Sequence, residues 1–285
     1  MKYHFIAEYQ QEYPISRMCC VLEVSVSGYY AWRKRTPSLH SREDALLAEK
    51  VKETFQDNRC VYGSPRVHAE LRAQGLHCAR KRVARLMREQ GLKAKYPRHR
   101  TITTKSEPGA QAAPNLLQRD FSANSPNRKW VADTTYIWTA EGWLYLAVVL
   151  DLFSRMVVGW SMAAIQDANL VVQALQMARA RRHPQAGLLH HSDRRSTYTS
   201  ESYQALLQQE GMQANMSRTA DCYDNAAAES FFHSFKRECI EGEYLQTRAQ
   251  ARSSTFDYIE AFYNRTRRHS TLHYLSPLEY EQLMC

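Results

Sequence analysis

Asp133 stands in WVADTTYIWT (130–139), Asp193 in HSDRRSTY (191–198) and Glu229 in CYDNAAAES (222–230), with 35 residues between the last two. Alone, each is unremarkable: an Asp near a strand end is usually a cap or turn residue, and a helical Glu a solvated charge. Brought together from separate elements, the three make an oxygen-rich site for one or two Mg²⁺ ions, which prefer hard carboxylate ligands, with Mn²⁺ as a substitute. Two such ions about 3.5–4 Å apart would flank a scissile phosphate, so the chemistry implied is metal-assisted phosphoryl transfer without a covalent protein intermediate. His190 and His191 are nitrogen donors that Mg²⁺ does not favour, and they read as packing or DNA-contact residues.

Such a site needs elements that hold it. Residues 131–139, 144–151 and 156–161 are rich in β-formers with short connections, the pattern of an antiparallel meander. A helix over 169–182, a strand over 187–192, a helix over 201–209 and a strand over 212–217 continue in α/β alternation. Asp133 then lies within a strand, a costly position for a charge without compensation, and Asp193 follows one, where α/β sheets gather ligand sites. A helix over 225–238 sets Asn225, Glu229, His233 and Lys236 on one polar stripe, with Ala227, Phe231 and Phe235 roughly opposite. One face can pack on the sheet while the other meets metal and DNA. A helix over 250–263 and a basic tail containing Arg267 and Arg268 complete the chain. Periodicity alone specifies only mixed α/β.

Charge points to the partner. The chain carries a net +9, yet residues 31–105 alone carry +12 from 19 Lys and Arg against 7 Asp and Glu. Such asymmetry fits a polyanion, because cations that neutralise phosphates release condensed counterions. Within the basic stretch, helices are expected over 41–56 behind a Ser41 cap, over 65–74 ending at Gly75, and over 80–90. The last carries Arg80, Lys81, Arg82, Arg85 and Arg88 around an apolar stripe of Val83, Leu86 and Met87. Two short helices joined through a glycine turn, the second crowded with arginine, read as a helix-turn-helix that binds DNA. A basic three-helix bundle that never touches DNA is the plainer alternative. Residues 96–125 read as an extended linker, rich in Pro, Ser, Thr, Asn and Ala. Seven cysteines without a C-x-x-C pair argue for reduced thiols, and adjacent Cys19 and Cys20 lack the His pair of a zinc finger. With no signal-like run and no apolar stretch of ~20 residues, the expectation is a cytoplasmic, nucleoid-associated protein with no membrane contact.

The three carboxylate strings, with GWLYLAVVLDLFSRMVVGWSM (142–162), ESFFHSFKRE (229–238) and YNRTRRHSTLHYLSP (263–277), resemble the transposases of bacterial insertion sequences of the two-reading-frame type. The likeness is to the second-frame product, which shares its core with retroviral integrases. It covers roughly the last 160 residues strongly and the first 120 more loosely. It implies a ribonuclease H-like core with a mixed sheet, preceded by a small all-α helix-turn-helix domain. The divisions expected are 1–95 for the helical region (helix-turn-helix about 41–95), 96–125 for the linker, 126–245 for the core and 246–285 for a C-terminal helix and basic tail completing it. Asp133, Asp193 and Glu229 become the catalytic metal ligands, Asp151 a structural residue of its strand turn, and Lys236 a contact to terminal DNA. The resemblance also implies DNA cleavage and strand transfer on double-stranded element ends and target, at least a dimer, and a companion protein from an upstream frame. This chain departs from the family at Arg195, where Gly is usual, and at Thr197, where Gln is usual. A tyrosine recombinase is disfavoured because Arg, His and Tyr in RRHSTLHY (267–274) are too compact for that catalytic set. A catalytically inactive DNA-binding regulator is the remaining alternative.

Overall fold

The computed structural model describes residues 1–95, 123–193, 196–216 and 226–285. Arg195, Asn225 and nearly all of the expected linker lie outside the described residues. Three short helices come first: α1 (Lys2–Glu8), α2 (Ile15–Val21) and α3 (Val26–Lys34). They bury Ile6, Met18, Cys19 and Tyr29 in a core of their own, and the Ser25 hydroxyl caps α3 by accepting from Gly28 N at 3.0 Å. The sequence pattern places no element before residue 41. These helices run to only seven to nine residues, too short for a clear apolar period.

The next three match their expected spans: α4 (Leu39–Asp57), α5 (Ser64–Ala73) and α6 (Arg80–Glu89). Ser38, not Ser41, caps α4; its hydroxyl accepts from Ser41 N at 3.2 Å. Pro65 at the start of α5 and Gly75 at φ +82 beyond its end set the limits of that helix. Val51 and Phe55 of α4, Val67 and Leu71 of α5, and Val83, Leu86 and Met87 of α6 share one core cluster with the strands and C-terminal helices. The helix-turn-helix is therefore docked on the rest of the chain. Tyr62 fastens it, its hydroxyl donating to the Thr266 carbonyl at 3.3 Å and accepting from Arg268 N at 2.8 Å.

Strands β1 (Lys129–Thr139), β2 (Gly142–Asp151), β3 (Val157–Ala163), β4 (Leu189–Ser192) and β5 (Gln213–Met216) form one sheet in the order β3-β2-β1-β4-β5. The first three are antiparallel neighbours, while β4 pairs parallel with β1 and β5 parallel with β4. This is the mixed sheet of the ribonuclease H-like fold. One face is covered by α7 (Ala168–Arg182) and α8 (Glu201–Gln209), which bury Trp130, Ala132, Ala147 and Val149. At Gly159 a β-carbon would meet the Ala174 carbonyl oxygen at 2.2 Å, so only glycine lets β3 approach α7 this closely.

The opposite face carries α9 (Ala226–Phe235) and α10 (Arg248–Phe256), each running on into a π-helical stretch, Lys236–Ile240 and Asp257–Tyr263. Phe231, Phe232 and Phe235 of α9 pack there on Val131, Val148 and Leu150. Each such burial contributes roughly 1.5–3 kcal/mol. The C-terminus differs from the expected basic tail. It folds through a His269–Leu275 bridge into α11 (Pro277–Met284), which opens on a capping box of Ser276 and Glu279. Arg182 and the Ser154 hydroxyl both bond Glu281 and pin that helix to the core.

Candidate active site

Asp133 lies within β1 and Asp193 directly follows β4, the strand that pairs parallel with β1. The β1–β4 register pairs Lys129 with Leu189, Trp130 with His190 and Val131 with His191; carried two residues further, it sets Asp133 against Asp193. Neighbouring strands lie about 4.8 Å apart. Alternation fixes the faces. Trp130 and Ala132 point toward α7 and α8, whereas Val131 and Ile137 join the core under α9, so Asp133 lies on the α9 face. On β4, His190 Nε2 lies 2.6 Å from the Tyr203 hydroxyl of α8, which turns Asp193, three residues on, to the same face as Asp133. Asp133 is buried and its Oδ1 accepts from Thr134 N at 2.7 Å. A set of oxygen donors such as these suits a divalent cation.

Glu229 is exposed on α9, and α9 packs on β1 and β2 over the same face. Among the described residues, however, no three His, Cys, Asp or Glu side chains already stand together as a metal cluster. The fold thus carries the two aspartates on paired strands β1 and β4 and packs the Glu229 helix on β1 and β2, without a closed triad among the described residues. Lys236 begins the π-helical stretch instead of continuing the α-helical stripe. Its ammonium stands 4.5 Å from the ring centroid of Tyr136 on β1, and burial lowers its pKa. Tyr136, Trp138 and Trp143 form an exposed aromatic cluster at that end of the hairpin. His233 is exposed.

Asp151 is fully buried and accepts from Asn127 N at 2.7 Å and Phe153 N at 2.9 Å, so it braces the strand end, with its pKa raised by burial. Thr197 is buried in the turn before α8, where its carbonyl accepts the Ser200 hydroxyl at 2.8 Å. Burial, with His191 beside it, pulls the His190 pKa from 6.5 down to about 3. The unfolded chain then binds the extra proton between those values, so stability is full above pH 6.5 and lost as pH falls toward 3. For His190 this amounts to about 2 kcal/mol at pH 5. His190→Gln should flatten the pH dependence of the urea midpoint between pH 7.5 and 5; an unchanged slope would contradict a buried neutral ring.

Two expected DNA contacts are corrected. Arg267 and Arg268 are 2% and 8% exposed, the first held by Glu238 in two bonds of 2.6 Å and the second by Glu70. Both are interior ion pairs, since full desolvation requires a hydrogen-bonded partner. On α6 the basic face divides. Arg82 and Arg85 bond Asp44 of α4, and the Arg85 guanidinium, with Arg82 beside it, holds Asp44 below the usual carboxylate range. Arg80, Lys81 and Arg88 are exposed and pair with no described residue.

Fold and site define the class, an integrase-type polynucleotidyl transferase core preceded by a helix-turn-helix region. Family models agree: an HTH-like domain matches residues 41–100, and integrase core domains match 123–222 and 229–284. The chain is 45% identical over 283 residues to the transposase InsF for insertion sequence IS3A of Escherichia coli (strain K12), covering 99% of this chain and 98% of that one. It is 41% identical to the insertion element IS600 uncharacterized 31 kDa protein of Shigella sonnei, over 93% of this chain and 97% of that one. Among solved structures, a simian T-cell lymphotropic virus intasome in complex with a PP2A regulatory subunit aligns at a TM-score of 0.48 and 13% identity, covering 75% of this chain and 70% of that one. The chain belongs to the IS3 family of insertion-sequence transposases, and its function is DNA transposition. No described helix is long and apolar enough to cross a membrane.

Proposed function

We propose that Asp133, Asp193 and Glu229 hold divalent metal, Mg²⁺ with Mn²⁺ as a substitute, and that the chain cleaves element ends and joins them to target DNA. The observation that supports this is the parallel β1–β4 pairing, whose last pair, Val131 with His191, lies two residues before Asp133 and Asp193, on a sheet over which the helix bearing Glu229 packs. When bound, the metal supplies the charge that activates an attacking hydroxyl and steadies the leaving oxygen. Asp133 would hold it from within β1, Asp193 from just past β4, and Glu229 would complete the donor set from α9. Both steps are in-line displacements, so one set of carboxylates serves hydrolysis and strand transfer alike. Purified protein with a duplex element end should release a 3′-OH and join it to target only with Mg²⁺ or Mn²⁺; full activity in excess EDTA would refute the reading.

DNA binding is divided between two surfaces. Residues 1–95 are read as the DNA-binding region, 96–125 as the linker and 126–245 as the catalytic core, completed by 246–285. Arg80, Lys81 and Arg88 are read as phosphate contacts and Lys236 as a contact to the terminal nucleotides. His233, beside Lys236, belongs with it. Replacing Arg80, Lys81 and Arg88 with Ala should make log affinity for duplex DNA less steep in log salt by about 0.9 for each phosphate that is no longer neutralised. In the same assay Lys236→Ala should weaken the element's own ends more than random duplex. Unchanged salt slopes would remove α6 from the interface, and equal losses on both duplexes would make Lys236 a general phosphate-binding residue. Two element ends call for at least a dimer, acting at the nucleoid with a companion protein from an upstream frame. Chemical crosslinking on paired ends tests the first of these, and co-purification with the product of that frame the second.

A further inference from the structure

A cavity of about 260 Å³ runs along the stripe of α9 next to Glu229, with Phe231 and Tyr263 in its lining and the exposed residues Ser230, Ser270 and Thr271 at its rim. Three guanidinium side chains line it as well, those of Arg66, Arg155 and Arg267. Two of them share one carboxylate. Glu238 takes Arg267 in two hydrogen bonds of 2.6 Å and stands 3.6 Å from Arg66 Nη1, an atom that makes no hydrogen bond. The guanidinium of Arg155 has neither ion pair nor hydrogen bond among the described residues. Burial pulls its pKa down more than Tyr263 and the nearby Asp151 carboxylate, which forms no ion pair with it, push it up. His269 also borders the space, but burial, then Arg267, Arg66 and Arg155, push it well below its ordinary value and leave it neutral. Three positive charges thus outnumber the two carboxylates that act on them, Glu238 and Asp151, where water is partly excluded, a setting in which an anion gains most.

The backbone at Arg155 adds a second observation. It sits at φ +62, a left-handed conformation that glycine adopts freely and a residue with a β-carbon only under strain. The Tyr263 hydroxyl donates to the Arg155 carbonyl at 3.1 Å and holds the turn in place. Strain retained beside a cavity marks a side chain kept for what it binds. Ala226 and Ala227, in the first turn of α9, complete the lining, so the positive end of that helix dipole faces the same space.

We propose that this cavity binds one phosphate-class oxyanion through Arg155 and Arg66, the anion being a backbone phosphate of bound DNA or free inorganic phosphate. Guanidinium forks match phosphate oxygens in bidentate geometry, and the volume suits one phosphate group with a few waters. The DNA source rests on the transposase reading, whereas the anion chemistry does not.

The test uses the full chain, wild type and Arg155→Gln, with Arg155→Lys as the conservative control. Inorganic phosphate should raise the wild-type melting temperature above that in sodium chloride of equal ionic strength, rising with the logarithm of concentration. Arg155→Gln should lose that phosphate-specific shift and Arg155→Lys keep part of it. In phosphate-free buffer Arg155→Gln should melt no lower than wild type, because it removes a cation without an ion pair among the described residues; a lower melting point would assign Arg155 a structural role and overturn the proposal. If the source is DNA, Arg155→Gln should also make the salt dependence of element-end binding less steep by about 0.9; an unchanged slope together with a wild-type phosphate shift that the variant lacks identifies free phosphate. No phosphate-specific shift in wild type and no slope change in the variant would overturn the site. An Asp133→Asn chain should retain the phosphate shift, so failure of the catalytic reading and failure of this one are read separately.

Discussion

Asp133→Asn, Asp193→Asn and Glu229→Gln are each expected to reduce metal-dependent cleavage and joining by at least about 10²–10³-fold, the scale on which removal of a charge-stabilising group acts. Asn keeps the size of Asp and one acceptor, so the bond from Thr134 N to position 133 survives while the charge does not. On the proposed site, neutralising either aspartate removes one of two like charges; these variants should therefore fold at least as stably as wild type in metal-free buffer. Glu229 is exposed on α9, so Glu229→Gln should shift stability by less than about 0.5 kcal/mol. Duplex binding should persist, since Arg80, Lys81 and Arg88 lie on a separate helix. Mg²⁺ should raise the melting temperature of wild type and do so less for Asp133→Asn and Asp193→Asn. A variant that joins ends at the wild-type rate removes its residue from the metal site, and a variant that fails to fold would make that carboxylate structural.

Legibility followed the reach of the signal. Asp133 and Asp193 are singled out by strings that act over a few residues, while the pairing of their strands, β1 with β4, is long-range and needs the register to become a position. The α4–α6 spans were readable from caps, glycine and an apolar period, while α1–α3 were too short to show one. The polar stripe on 225–238 requires α-helical rotation throughout, and the π-helical stretch from Lys236 changes that phase, an effect of packing that no local pattern announces. The S-x-x-E string at Ser276 does carry a helix-start signal, one that could have placed α11. Arg267 and Arg268 misled for a different reason. A basic string reads as surface until the acid that neutralises it is known, and those acids are Glu238, 29 residues before Arg267, and Glu70, 198 before Arg268.

Glu238→Ala is the substitution expected to cost most stability, about 3–5 kcal/mol, because breaking a buried pair leaves an uncompensated charge. Glu238 has a side chain 7% exposed and gathers Arg267 in two bonds, the Tyr258 hydroxyl at 2.9 Å and Arg66 at 3.6 Å. Burial lowers the Arg267 pKa most, but the bond to Glu238 and the charges of Tyr258, Glu238 and Tyr263 together raise it, and since arginine keeps its proton in proteins, removing the acid leaves a buried charge. The same carboxylate ties the π-helical stretch after α9, where it resides, to the one after α10, which carries Tyr258. At about 2–4 °C per kcal/mol for a chain of this size, the melting temperature should fall by more than about 6 °C. Charge and packing are separable. Glu238→Gln keeps the shape and should lose much of the same stability, whereas replacing Glu238 and Arg267 together with Leu should recover part of it, since an apolar pair avoids both desolvation costs. A Glu238→Ala chain melting within about 2 °C of wild type would show that water already reaches Arg267. A Glu238→Gln chain as stable as wild type would locate the stabilisation in hydrogen bonding and leave charge no part in it.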